Sequence, residues 1–145
     1  MAEAFIDPAR EAFDAFKDLP RDEPVEMLNL LRFNSQAAYP PGHECAGRSL
    51  SGAQAYKLYS QASAPVFARL GGTIVWSARP QLVLIGPADE LWDMAFVARY
   101  PNAGAFLAMV TDEEYRRAVT HRQAAVATSR LIPTGPRAPS KDGFG

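Results

Sequence analysis

The sequence predicts a single α+β domain in which helices cover one face of an antiparallel sheet. Three observations predict it. The chain has 145 residues, 48% of them hydrophobic, which supports one core burying about 68–70% of the unfolded chain's surface without disulfides or a structural metal. Segments of period-two apolar alternation are interleaved with segments of three-four spacing. After an N-terminal helix, these segments run strand, helix, strand, strand, helix, strand.

Asp7 followed by Pro8 reads as a cap with proline at the first helical position, predicting a short helix over 8–18 with Phe13 and Phe16 on one face. So small an apolar face must dock on the main body or on a second subunit. LPRDEP (19–24) is a linker, so residues 1–24 form an N-terminal appendage and 25–132 the domain proper. In VEMLNLLRF (25–33), Val25, Met27, Leu31 and Phe33 lie on one face and Leu28 and Leu30 on the other, with Asn29 and Arg32 as polar interruptions. The loop 35–50, SQAAYPPGHECAGRSL, is long enough to be a binding or interface loop.

Ser51 caps a helix whose buried face is Tyr56, Tyr59, Ser63, Val66, Phe67 and Leu70; Pro65 is expected to kink or restart it, and Gly71–Gly72 to stop it. TIVWSARPQLVLIG (73–86) reads as one long edge strand bent near Pro80. After a turn at 87–90, LWDMAFVARYP is a central strand with Trp92, Met94, Phe96, Ala98 and Tyr100 facing one way and Asp93, Ala95, Val97 and Arg99 the other. Asn102 caps a short helix carrying Phe106, Met109 and Val110. Thr111 with Glu114 reads as a capping box starting a helix to about Thr128, with Tyr115, Ala118, Val119, Arg122 and Val126 inward. Arg130, Leu131 and Ile132 form a short last strand, and 133–145 is a mobile tail.

That order is the split βαβ pattern of a ferredoxin-like sandwich, with helices on one sheet face only. The two central strands are nevertheless apolar on both sides, so a second layer must cover the other face. A twin copy is the simplest cover, and two sheets packed face to face would make an obligate homodimer. Fifteen basic against 16 acidic side chains, net charge −1, give no basic face for nucleic acid. No run reaches the roughly 20 apolar residues of a membrane span. The first residues, MAEAFIDPAR, are acidic early and lack the order of a secretory signal; with the lone Cys45 this predicts a cytoplasmic protein.

MLNLLRF, the loop YPPGH followed by SGAQAY, the strand WDMAFVARYP and the helix with THRQAA leading to SRLI together resemble the family catalogued as domain of unknown function 1330, over about residues 25 to 132. That family is similar to the wider dimeric α+β barrel group, which contains small monooxygenases, lactone isomerases, cyclases, haem proteins and members without known chemistry. The resemblance implies the barrel fold and the dimer, and does not select a reaction.

Polar residues interrupting covered strands need partners, since each costs about 1–3 kcal/mol unsatisfied. Asn29, Arg32, Asp93 and Arg99 therefore either fix register by pairing with one another or with an interface carboxylate, or orient a small polar or anionic ligand in a barrel cavity. His121, at the border of the last long helix's buried face, is the acid–base candidate, oriented by Asp93, Tyr100 or a serine. Arg122, Ser129 and Arg130 belong to the same resembling string and are candidates for the same pocket. Trp76 and Tyr100 either fill the core or line the cavity, as do Tyr56, Tyr59 and Trp92. His43, Glu44 and Cys45 are metal-ligand types, but adjacent positions cannot converge on one ion without help, which His121 gives only if the loop folds over the helix. No nucleotide, hydrolytic-triad or zinc-protease motif is present.

Three function classes follow. The first is a homodimeric barrel with a small-molecule pocket acting as a cofactor-free isomerase, cyclase or monooxygenase. The second is a non-catalytic ligand-binding or assembly module, favoured if side chains fill the cavity. The third is a haem or metal protein using His121 or His43.

Overall fold

Alternation in VEMLNLLRF turns Val25, Met27, Asn29 and Leu31 to one face, all buried, and Glu26, Leu28, Leu30 and Arg32 to the other. The computed structural model describes residues 3–138 and 140–143. Its elements are α1 (Arg10–Lys17), β1 (Val25–Phe33), α2 (Gly52–Arg69), β2 (Thr73–Ala78), β3 (Met94–Tyr100), α3 (Ala103–Thr111), α4 (Glu113–Ala125) and β4 (Val126–Thr134). The strands make one antiparallel sheet in the order β2-β3-β1-β4. This is the ferredoxin-like arrangement, with β1 and β3 central and β2 at an edge as expected. Among the described residues no helix is long and apolar enough to cross a membrane.

The core lies between the sheet and the helices in two clusters. One gathers Val25, Met27, Ala98 and Tyr100 of the sheet with Val66, Phe106 and Tyr115. The other holds Leu31 and Val126 against Ala55, Tyr56 and Ala125. α1 docks on the body through Phe16, whose ring meets Phe106 edge-on at 5.1 Å. The Tyr59 and Tyr115 hydroxyls are hydrogen-bonded at 2.9 Å, and burial pushes both well above the usual phenol range. Tyr115→Phe removes a partner from Tyr59 inside the core and is expected to cost about 1–3 kcal/mol, read from the urea unfolding midpoint.

Several boundaries differ from expectation. The first helix starts at Arg10 with Ala9 as its cap residue and no side-chain cap; Asp7 instead accepts a hydrogen bond from Gln123 Nε2 at 3.2 Å. Pro65 does not divide α2, which runs unbroken from a full Ser51–Gln54 capping box. Pro65 is exposed, so the turn whose hydrogen bond it cannot make borders solvent. Gly71 stops α2 as predicted, with φ +84.

The long edge strand ends at Ala78. Pro80 offers no N–H to a ladder, and the following Leu82, Leu84 and Ile85 are 69%, 87% and 94% exposed. β3 begins at Met94 rather than Leu91. Asp112, not Thr111, caps α4, accepting from the N–H groups of Glu114 and Tyr115, while the Thr111 hydroxyl donates back to Leu107 O. α4 stops at Ala125 rather than Thr128, because Asn34 and Ala38 N–H groups take the carbonyls of Ala125 and Ala124 at 2.8 Å each. β4 then pairs with β1 from Val126 through Thr134, two residues into the stretch read as a tail. Residues 139, 144 and 145 of that stretch lie outside the described residues.

Candidate functional site

The loop before α2 folds over α4 and brings Tyr39, His43 and His121 into one aromatic cluster. The Tyr39 and His43 rings lie 4.6 Å apart, and the His43 and His121 rings 5.5 Å apart and near perpendicular. His43 Nδ1 accepts the Cys45 N–H at 3.0 Å, so the ring proton is on Nε2, which donates to Thr120 Oγ1 at 3.0 Å. Thr120 can accept it because its own hydroxyl donates to Arg117 O. Both nitrogens of His43 are thereby used. Among the described residues no three His, Cys, Asp or Glu side chains converge as a metal set.

His121 differs. Its Nδ1 meets the Tyr39 hydroxyl at 2.6 Å, and Nε2 has no hydrogen-bond partner among the described residues. The ring lines a groove of about 670 Å³ between α2 and α4, with Gln61, Pro65, Glu114 and Arg117 along its walls. Burial, and then the neighbouring His43, lower the His121 pKa from its ordinary 6.5, so the imidazole is neutral at pH 7. Burial, and then the Cys45 thiol beside it, raise that of Tyr39. With the Tyr39 O–H donating to Nδ1, His121 presents an Nε2–H to the groove as a hydrogen-bond donor. With that hydroxyl rotated toward Cys45, Nδ1 holds the proton and Nε2 presents a lone pair as a base.

The other expected site residues do not join this groove. Trp76, Arg32 and Arg99 lie on the sheet face turned away from the helices: Arg32 is opposite Thr128, Arg99 is opposite Glu26 and Thr73, and Trp76 is opposite Val97. Asp93 accepts the Phe33 N–H at 2.8 Å and borders a second, shallow groove of about 450 Å³ near Ser51. It pins β1 to β3 and does not orient His121. Tyr100 likewise points its hydroxyl at Met109 Sδ, 3.8 Å away. Asn29 Nδ2 donates to Met27 O at 3.0 Å, so the buried amide is satisfied within its own strand. Arg130 sits between the rings of Phe5 and Trp92, at 4.9 and 5.3 Å from their centres, and pairs with Glu90 at 3.6 Å.

Arg122 and Ser129 do come together, and neither lines the groove. Arg122 Nη2 donates to Ser129 Oγ at 3.2 Å and Nη1 to Ile6 O. Tyr39, the partner that orients His121, was not singled out by the sequence reading; its trace was its place at the head of the YPPGH string, four residues before His43.

The family model described as Domain of unknown function (DUF1330) matches residues 46–135. The chain belongs to this family. It is similar to RPA0582, a protein of unknown function from Rhodopseudomonas palustris, with 47% identity over 94% of this chain and 100% of that one and a TM-score of 0.87. It also resembles SnoaB, a cofactor-independent oxygenase from Streptomyces nogalater, with 16% identity over 83% of this chain and 99% of that one and a TM-score of 0.51. At that identity the likeness shows the fold alone. No curated protein matches the chain. The DUF1330 match contains His121, Arg122 and Ser129 but stops short of Tyr39, His43 and the N-terminal segment.

Proposed function

We propose that this DUF1330 protein is a homodimeric, cytoplasmic α+β barrel that carries out cofactor-free proton transfer on a small polar molecule held in the α2–α4 groove. His121 is the acid–base group and Tyr39 its orienting partner. One observation carries the reading: the 2.6 Å Tyr39–His121 bond occupies Nδ1 and leaves Nε2 to the groove. Arg117 and Gln61 on the groove walls suit a carbonyl or carboxylate oxygen. Proton removal beside a carbonyl is common to isomerase and cyclase chemistry, and it generates the carbanion that reacts in cofactor-free oxygenation.

The test is solvent deuterium exchange into a panel of enolisable oxo acids and lactones. Wild-type protein is expected to exchange the α-proton of at least one compound, His121→Ala to lose about 10²–10⁴ of that rate, and Tyr39→Phe to fall between. Equal exchange by His121→Ala overturns the assignment. The pH dependence has a definite sign. The native imidazole takes its proton at lower pH than the unfolded one, so base-form activity falls as pH drops through the native pKa. Stability is likewise lost as pH drops below 6.5 toward that value, because the unfolded chain binds the proton first. Carbon-13 titration of the His121 ring and urea midpoints from pH 7.5 to 5 check both.

A second reading rests on a different observation. Arg32, Arg99 and Trp76 share the outer sheet face with Leu28, Leu30, Val97 and Ile132, where they would set the register of two subunits without touching a ligand. That makes them assembly residues, and the non-catalytic module is what remains if His121 proves dispensable.

A further inference from the structure

The Arg122 guanidinium is partly buried between α4 and β4, and among the described residues no carboxylate pairs with it. Among the described residues it donates only to neutral oxygens, Ile6 O and Ser129 Oγ. Its charge is felt by Tyr56, Tyr59 and Tyr115, all of which are uncharged at neutral pH. A cation held away from water without a counter-charge is costly, and such sites are built where an anion arrives.

What fills the place now is the chain's own N-terminal segment. Ser129 Oγ donates to Phe5 O at 2.7 Å, Arg122 donates to Ile6 O, and Gln123 Nε2 donates to Asp7 Oδ1 at 3.2 Å. Three successive residues thus present three oxygens to three donors on α4 and β4. Ile6 meanwhile packs on the cluster of Leu31, Ala55, Tyr56, Ala125 and Val126. The segment therefore combines an apolar side chain against an apolar wall with oxygens on a guanidinium, a hydroxyl and an amide. Among the described residues the segment is further held by a hydrogen bond from Phe5 N to Thr128 Oγ1 at 3.1 Å and by the Arg130 guanidinium 4.9 Å from the Phe5 ring centre, and Phe5 is 47% exposed. The donors Arg122 and Ser129 lie inside the family match, whereas the segment lies outside it.

We propose that residues 5–7 act as an internal surrogate ligand in a binding site for a small carboxylic acid with an apolar tail. The acid's carboxylate would take Arg122 and Ser129, its tail would replace Ile6, and the segment would lift off as it binds. This site is separate from the His121 groove and stands or falls independently of it. Competition by the segment lowers apparent affinity by the fraction of time the site is open, so a segment closed about nine-tenths of the time costs about tenfold.

The experiment titrates full-length protein with sodium hexanoate and follows backbone and arginine side-chain NMR signals, with butylammonium as the charge-reversed control. Hexanoate is expected to shift Phe5, Ile6, Asp7 and the Arg122 side chain, and butylammonium to shift none of them. Ile6→Gly loosens the segment without touching the donors and is expected to bind hexanoate about tenfold more tightly. Arg122→Gln should abolish that binding. Ser129→Ala, a smaller change should Arg122→Gln fail to fold, should weaken it. The proposal is overturned if hexanoate binds neither wild type nor Ile6→Gly, if Ile6→Gly binds no more tightly than wild type, or if hexanoate moves only the His121 signals.

Discussion

Gly52→Ala is expected to leave little folded protein. A Cβ at this position would stand 2.1 Å from Asn34 O, 2.7 Å from Ala125 O and 2.8 Å from Asn34 N. All three are main-chain atoms, which cannot swing aside as a side-chain end can. They belong to the junction where the end of β1, the start of α2 and the α4–β4 transition meet: Gly52 N–H donates to Asn34 O at 3.0 Å, and Asn34 N–H donates to Ala125 O at 2.8 Å. Relieving the clash breaks those bonds, so the cost lies at or above the upper end of the about 1–3 kcal/mol typical of overpacking. Gly47→Ala is the control, since a Cβ there meets nothing within 4 Å. Urea unfolding checks both; a Gly52→Ala protein as stable as Gly47→Ala would contradict this account of the junction.

Leu28→Asp is expected to turn the proposed dimer into folded monomers. Leu28 sits mid-sheet on the face away from the helices, opposite Val97 on one side and Ile132 on the other. Trp76 and Ile132 on that face are 50% and 46% exposed in the single chain, an apolar surface that invites a partner. A carboxylate buried there unpaired costs several kcal/mol, and each 1.4 kcal/mol is about tenfold in Kd, so the Kd of the dimer should rise by at least about a hundredfold. Leu84→Asp tests whether the exposed 79–86 arm also joins the contact, and a smaller weakening is expected. Sedimentation equilibrium at low micromolar concentration reads the outcome. Wild-type protein that sediments as a monomer there sinks the dimer and the barrel with it.

Much of the fold was legible because its signals are local. Apolar residues on both faces of 25–33 and 94–100 mark central strands, since only a strand covered on both sides needs them. Asn102 and Ser51 announce their helices because a short polar side chain satisfies N–H groups two or three residues on. The arm at 79–86 misled for the complementary reason. Its apolar content is that of a strand, yet Pro80 removes a donor and no neighbouring strand continues alongside, and a strand exists only through pairing. The end of α4 carries no glycine or proline; the Asn34 side chain and the 34–38 backbone, about ninety positions away in sequence, take its last carbonyls.

By itself the sequence determined the split βαβ order, the central pair of strands and the one-sided helical layer, and it singled out His121 as the candidate acid–base group. Tertiary structure alone decided which partner His121 would have, 82 residues away in Tyr39, and separated it from Arg32, Arg99 and Asp93. It also placed residues 5–7 on Arg122, Gln123 and Ser129, 116 to 124 residues distant. Periodicity and capping are written among neighbours, whereas a proton's partner or a cation's counter-charge is set by which distant segments the packed core brings within three ångströms.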